Sequence, residues 1–205
     1  RRYGSGQVNV GKMNFGKLRP GIAFWTAIAA AAVIIYVLMV RPIVGLADNG
    51  DFERIMSTVG LDYTNPFLTD EDKYFGYFIR EFKLTSLGLG GYASSQIPLV
   101  LAAKALNMLL HSDRVFDMRF MAVVYAALLL TAFVAIVRFH RHLPLAVRIA
   151  LGALLVVVMT DVGYIGYFNS LFGEPVSYVF LLLTVGLALG IATRERPSRR
   201  LLAAF

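Results

Sequence analysis

Apolar residues run unbroken, or nearly so, over four stretches of the chain: residues 21–40, 120–137, 149–168 and 176–192. A helix needs about 20 mostly apolar residues to cross a bilayer. The pattern therefore predicts an all-α polytopic integral membrane protein with four transmembrane helices. A fifth apolar stretch, 94–110, is shorter and carries Pro98, Lys104 and Asn107. Lys104, Asn107 and His111 follow one another at helical spacing, so a polar stripe marks one face, and this predicts a helix lying in the interface.

The segment 41–119 between the first two spans has a polar pattern with local order. "GDFERIMSTVG" reads as a short helix over about 50–60, closed by Gly60. "TDEDKYFGYFIREF" predicts a helix over 69–83, with Thr69 as N-cap and three acids in the first turn. Glu71, Tyr74, Phe75, Phe78, Ile79 and Phe82 follow helical spacing in it, giving an aromatic face suited to the headgroup level or to an ordinary soluble packing surface. "LGLGGY", residues 87–92, is too glycine-rich for a helix and reads as a connector. It lacks the flanking strand and the Lys of a nucleotide-binding loop, so no phosphate role follows from it.

Charge orders these elements. Lys and Arg gather on the cytoplasmic side of short loops. The tail 1–20 holds Arg1, Arg2, Lys12, Lys17 and Arg19. The loop 138–148 holds Arg138, Arg141 and Arg148, and the segment 193–205 holds Arg194, Arg196, Arg199 and Arg200. Together these regions carry 12 of the 20 basic residues and, in Glu195, one of the 13 acids. Four crossings put all three regions in the cytoplasm; counting 94–110 as a fifth would not. The segment 41–119 and the turn 169–175 then face the extracytoplasmic side together.

Composition agrees, with 58% hydrophobic residues, 15 Phe and 10 Tyr. Cysteine is absent, which excludes disulfides and thiolate chemistry. The net charge of +7 is spread over membrane-flanking segments rather than one patch, which argues against nucleic-acid binding. The chain does not open with Met, and its last five residues, Leu-Leu-Ala-Ala-Phe, read as the start of another apolar segment. The expectation is a piece of a longer bundle whose first span is not a cleaved signal.

Candidate chemistry collects on the extracytoplasmic side. Asp48 and Asp51 follow the first span in "GLADNGDFERI", and Arg54 lies one turn further on. Asp117 and Arg119 open the second span in "FDMRF". Asp161 falls near the outer end of the third, and Asn169 and Glu174 lie in "YFNSLFGEP". Each has a plain structural alternative. The paired Asp residues suit a polar helix cap, and Asp51 with Arg54 suits an i, i+3 surface pair. Glu174 before Pro175 suits a helix start, and Arg119 suits a snorkelling end. Asp161 is different, because an ionisable group within a span costs about 2.5–3.5 kcal/mol on insertion scales and marks a site or a pathway.

Acids and arginines above a bundle fit transfer of a sugar from a polyprenyl phosphate. A carboxylate takes the acceptor's proton, and Arg stabilises the leaving phosphate with paired donors. In "ADNGDFERI", "FDMRF" and "YFNSLFGEP" the chain resembles the polytopic GT-C glycosyltransferases, in particular bacterial glycan-biosynthesis hexose transferases. The resemblance covers residues 40–175. It implies a first extracytoplasmic loop with juxtamembrane helices and an acidic catalytic residue near its start. It also implies a polyprenyl-phosphate sugar as donor, a glycan or lipid-linked acceptor, and residence in the bacterial cytoplasmic membrane. Those enzymes commonly have more spans than the four visible here. On this reading Asp48 is the base, with Asp51 as the second choice, as partner or as ligand to a divalent cation. Arg119 and Arg54 hold the phosphate, and Asp161, Asn169 and Glu174 contact substrate. Two other classes compete: a transporter or flippase of lipid-linked glycans that uses Asp161, and a non-catalytic membrane subunit whose loop docks a partner.

Overall fold

The computed structural model describes residues 21–88, 91–194 and 198–204. The basic tail 1–20, two residues of the glycine-rich connector and part of the segment after 194 lie outside the described residues. Among the described residues three helices are long and apolar enough to cross a membrane: α1 (Ile22–Met39), α5 (Arg119–Phe139) and α8 (Glu174–Ala192). α5 is the central element, packed against α8 on one side and α1 on another. Side chains such as Phe24, Trp25, Ile28 and Tyr36 of α1 face outward and exposed. That is the surface a span turns to lipid, since a helix apolar on all sides needs apolar surroundings everywhere.

Glycine sets the closest approach in the bundle. A Cβ on Gly190 of α8 would lie 2.5 Å from the Phe139 ring, and one on Gly186 would lie 3.1 Å from the Ala135 Cβ. Small residues one turn apart let two helices approach backbone to backbone, which is how apolar helices associate where no hydrophobic effect drives them together.

The stretch 149–168 differs from the expected single span. Helix α6 (Leu145–Met159) stops, and α7 (Val162–Ile165) with a 3₁₀ turn (Gly166–Asn169) continues at a 55° bend. Asp161 causes the break locally. Its carboxylate accepts from the Gly163 N–H at 2.8 Å and so caps a new helix. The loose end of α6 is tied in by two hydroxyls: Thr160 donates to the Val156 carbonyl, and Tyr178 of α8 donates to that of Met159 at 2.6 Å.

Segment 41–119 folds as a small α/β cap, so the chain is mostly helical rather than all-α. Helix α2 (Glu53–Val59) ends at Gly60, whose φ of 67° is left-handed. A Cβ there would also sit 2.5 Å from the Thr85 carbonyl, so both conformation and space require glycine. The expected helix over 69–83 does not form. Thr69 caps one turn only, α3 (Asp70–Lys73), through a capping box with Asp72. Phe75 then takes a φ of 59°, and its N–H donates to the Asp48 carbonyl at 2.7 Å. The rest becomes strand β2 (Glu81–Leu84), which pairs antiparallel with β1 (Leu61–Tyr63) and β3 (Val115–Asp117). Opposed Tyr63, Phe82 and Phe116 form a buried ladder across the three strands. Cross-strand aromatic pairing outweighs the helical spacing of the same residues.

Helix α4 (Ile97–Leu110) is inverted relative to a water-facing polar stripe. Lys104 donates to the carbonyls of Val59 and Gly60 at 2.7 and 3.0 Å, at the negative end of α2. Burial lowers the affinity of that ammonium for its proton. Asn107, fully buried, donates to the carbonyls of Ser112 and Val115 and accepts from the Asp117 N–H. The polar side chains thus face the cap, and Leu101, Met108, Leu109 and Leu110 face outward. His111, beyond the helix, is exposed.

Candidate functional site

The end of α1 and the turn before α8 are brought together by two contacts. Asn169 donates from Nδ2 to the Leu38 and Val44 carbonyls at 3.1 and 2.7 Å. Phe52, at the start of α2, meets Phe172 edge to face with ring centroids 4.9 Å apart. Distant parts of the sequence are fixed against each other as a result. Asn169 is a buried staple here through Nδ2, while its Oδ1 is buried and makes no hydrogen bond among the described residues.

A cleft of about 300 Å³ opens beside this junction. Asp51, just before α2, and Arg54 within it line the cleft, with Tyr92, Ser94 and Gln96 from the segment before α4, and Glu174 with Ser177 from α8. Asp51 and Arg54 form an ion pair at 2.9 Å, both partly exposed. An exposed pair of this kind adds little stability, so its groups are available to a ligand. Gln96 is buried and donates to the Phe172 carbonyl at 2.7 Å, fixing the cleft wall. Gln96 and Ser94 carried no signal in sequence beyond preceding Pro98; only the return of the 169–175 turn places them here.

Asp48 is not in that cleft. It is 3% exposed, and its carboxylate is engaged on both oxygens. Oδ1 accepts from the Gly50 N–H at 2.7 Å and the Phe52 N–H at 3.1 Å, and Oδ2 accepts from the Tyr63 hydroxyl at 2.9 Å. This is an Asx-type cap at the entrance to α2, tied to β1. Burial and the Asp48 carboxylate both hold the Tyr63 hydroxyl in its protonated form, well above the usual phenol range.

Arg119 and Asp117 make a second structural unit. The guanidinium donates to both carboxylate oxygens of Asp117, at 3.0 Å from Nε and 2.7 Å from Nη2. Asp117 is fully buried and also accepts from the Arg119 N–H, closing the start of α5. Burial alone would raise its pKa, but the hydrogen bonds from Arg119 and the charges of Arg119 and Arg80 outweigh that and hold it below the ordinary 3.8. Arg119 does not line the cleft that holds Asp51, Arg54 and Glu174. Asp161 is exposed and caps α7, a role that explains its position without a pathway.

A larger cleft of about 560 Å³ lies against the other face of α2, with Glu53, Asp62 and Lys73 on its walls. Beside it Tyr74 donates to Glu53 at 2.6 Å, and that bond pushes the phenol up to about 12. None of the residues singled out by the sequence lines this cleft. Among the described residues no group of three or more His, Asp or Glu side chains converges as a metal site needs.

Neither the curated proteins nor the solved structures give a match to this chain. A family model does match, over residues 12–205, and its description is the YfdI N-terminal transmembrane domain. The apolar helices α1, α5 and α8 and the bent α6–α7 pair agree with that description, and the chain belongs to the YfdI N-terminal transmembrane domain family.

Proposed function

We propose that this chain is the donor-handling part of a GT-C-type glycosyltransferase in the bacterial cytoplasmic membrane. It moves a hexose from a polyprenyl phosphate to a glycan or lipid-linked acceptor, with inversion, on the extracytoplasmic side. The observation that carries the reading is the cleft that joins the Asp51–Arg54 pair to Glu174 at one end of lipid-facing helices. The donor's prenyl tail lies along those helices while its phosphate reaches the cleft.

Within this reading the base is Asp51 rather than Asp48. Both oxygens of Asp48 already accept hydrogen bonds from the fold, whereas among the described residues the Asp51 carboxylate pairs with Arg54 alone, its own N–H donating to the Asn49 Oδ1. Asp51 takes the proton of the acceptor hydroxyl as that oxygen bonds to the anomeric carbon. The bond from that carbon to the phosphate oxygen breaks, and its electron pair leaves with the polyprenyl phosphate. Arg54 stabilises the phosphate's charge as it departs. Arg119 is held by Asp117 and serves the fold. Glu174 contacts the acceptor from the opposite wall.

The transporter reading gains one observation, the broken span at Thr160–Asp161, since interrupted helices form binding sites in many transporters. At this break Thr160 and Tyr178 bond to helix carbonyls and one Asp161 oxygen accepts from the Gly163 N–H, while Asp161 itself stays exposed. The experiment that separates the readings uses the protein in liposomes with a labelled polyprenyl-phosphate hexose. Transfer of label to acceptor supports the transferase. Movement of the lipid across the bilayer without transfer supports transport, and neither leaves a docking subunit.

A further inference from the structure

Arginines crowd the opposite end of the bundle, away from the cleft just described. Arg138 closes α5, Arg141 follows it, Arg148 lies in the first turn of α6, and Arg194 follows α8. The fold places them around two adjoining clefts. One, of about 500 Å³, runs between α1 and α5 and is lined by Arg138, Arg141 and Arg148 above an apolar floor that includes Phe24, Ala27 and Val134. The other, of about 310 Å³, is lined by Arg138, Arg141, His142 and Arg194. Arg138 and Arg141 are common to both.

Among the described residues neither cleft has an acidic residue on its walls and none of these four arginines forms an ion pair. The Arg148 Nε is buried and makes no hydrogen bond there. Cations gathered without counter-charge repel one another and need anions. Arg suits phosphate because its planar donors grip two oxygens at once. The apolar floor of the first cleft continues onto the lipid-facing side of α1, so the anion that fits is the head of a lipid whose chain lies in the groove.

We infer that these clefts bind one anionic phospholipid with two phosphates, a diphosphatidylglycerol. One phosphate sits on Arg138, Arg141 and Arg148 and the other on Arg138, Arg141 and Arg194, with an acyl chain against Phe24, Ala27 and Val134. Two sites that share two arginines favour linked phosphates over two separate lipids, because the second contact becomes intramolecular. This site is independent of the proposed transferase reaction and stands or falls without it.

The test is native mass spectrometry of the delipidated protein titrated with diphosphatidylglycerol, phosphatidylglycerol, phosphatidylethanolamine or inorganic pyrophosphate at matched phosphate. Diphosphatidylglycerol is expected to bind most tightly and pyrophosphate not to compete. Arg138→Lys with Arg141→Lys keeps the charge that orients the bundle but loses the paired donors, and should weaken binding roughly tenfold or more, the loss of about one charge-assisted bond. Ala27→Trp fills the groove without touching a cation and should weaken the lipid equally. Equal affinity for phosphatidylglycerol per phosphate, competition by pyrophosphate, or unchanged binding in both variants would each overturn the inference.

Discussion

Replacing Asp48 should unfold the cap before it affects any reaction. Its carboxylate receives three hydrogen bonds, from the Gly50 and Phe52 N–H groups and the Tyr63 hydroxyl, in a position only 3% exposed. In Asp48→Ala the Phe52 donor and the Tyr63 hydroxyl are left buried without partners, while the partly buried Gly50 N–H can still reach water. An orphaned buried polar group costs about 1–3 kcal/mol, so two of them cost roughly 2–6 kcal/mol, a large share of the ~5–15 kcal/mol that holds a domain together. Asp48→Asn keeps an oxygen for the two backbone donors and turns an amide toward Tyr63, so it should lose about 1–3 kcal/mol. Thermal unfolding in detergent, read with limited proteolysis of segment 41–119, measures both. At about 2–4 °C per kcal/mol for a chain of this size, Asp48→Ala should melt at least ~4 °C lower and be cut first within the cap. An Asp48→Ala protein with the melting temperature and proteolysis pattern of the parent would refute the structural role.

The buried Asp117 carboxylate, held below the ordinary 3.8, adds stability that is complete above that pH and lost as pH falls through its lower folded value. Stability of the parent should therefore drop in that acidic window, and Asp117→Asn should flatten the slope in an acid-unfolding series. Removing the carboxylate as Asp117→Ala leaves the partly buried Arg119 unpaired and should cost less than the ~3–5 kcal/mol of a fully buried pair, measurable by the same melting assay. Gly190→Leu places a side chain into the Phe139 ring and should loosen α8 from α5, seen as lower thermal stability and faster proteolysis, whereas Gly173→Ala, with open space around it, should not. Asp161→Ala should lose only a helix cap, about 0.5–2 kcal/mol, and leave any transport or transfer rate intact.

The long apolar helices were legible because lipid imposes a length and a polarity that few other structures share. Their chemistry was less so. The residues 69–83 carry a helical period and a strand-forming composition at once, and only pairing with Leu61–Tyr63 and Val115–Asp117, distant in sequence, decides between them. Asp161 shows the same limit within a span: hydropathy averages over a window and cannot see a cap that starts a new helix. Asp48 and Asp51 stand three apart and look equivalent in sequence. Their difference lies in Tyr63, which reaches Asp48 from a strand that the pattern did not announce, and in the 169–175 turn, which returns to form the cleft around Asp51. Lys104 and Asn107 were visible as a stripe, but the direction of the stripe depends on the carbonyls of Val59 and Gly60.

The most direct test of the proposed reaction compares Asp51→Asn with the parent protein for transfer from a labelled polyprenyl-phosphate hexose in liposomes. Asp51 is partly exposed and paired only with Arg54 among the described charged groups, so the variant should melt with the parent. Donor binding should be retained while the transfer rate falls by ~10²–10⁴-fold, as expected for loss of a general base. An Asp51→Asn protein that transfers at the parental rate would contradict the account.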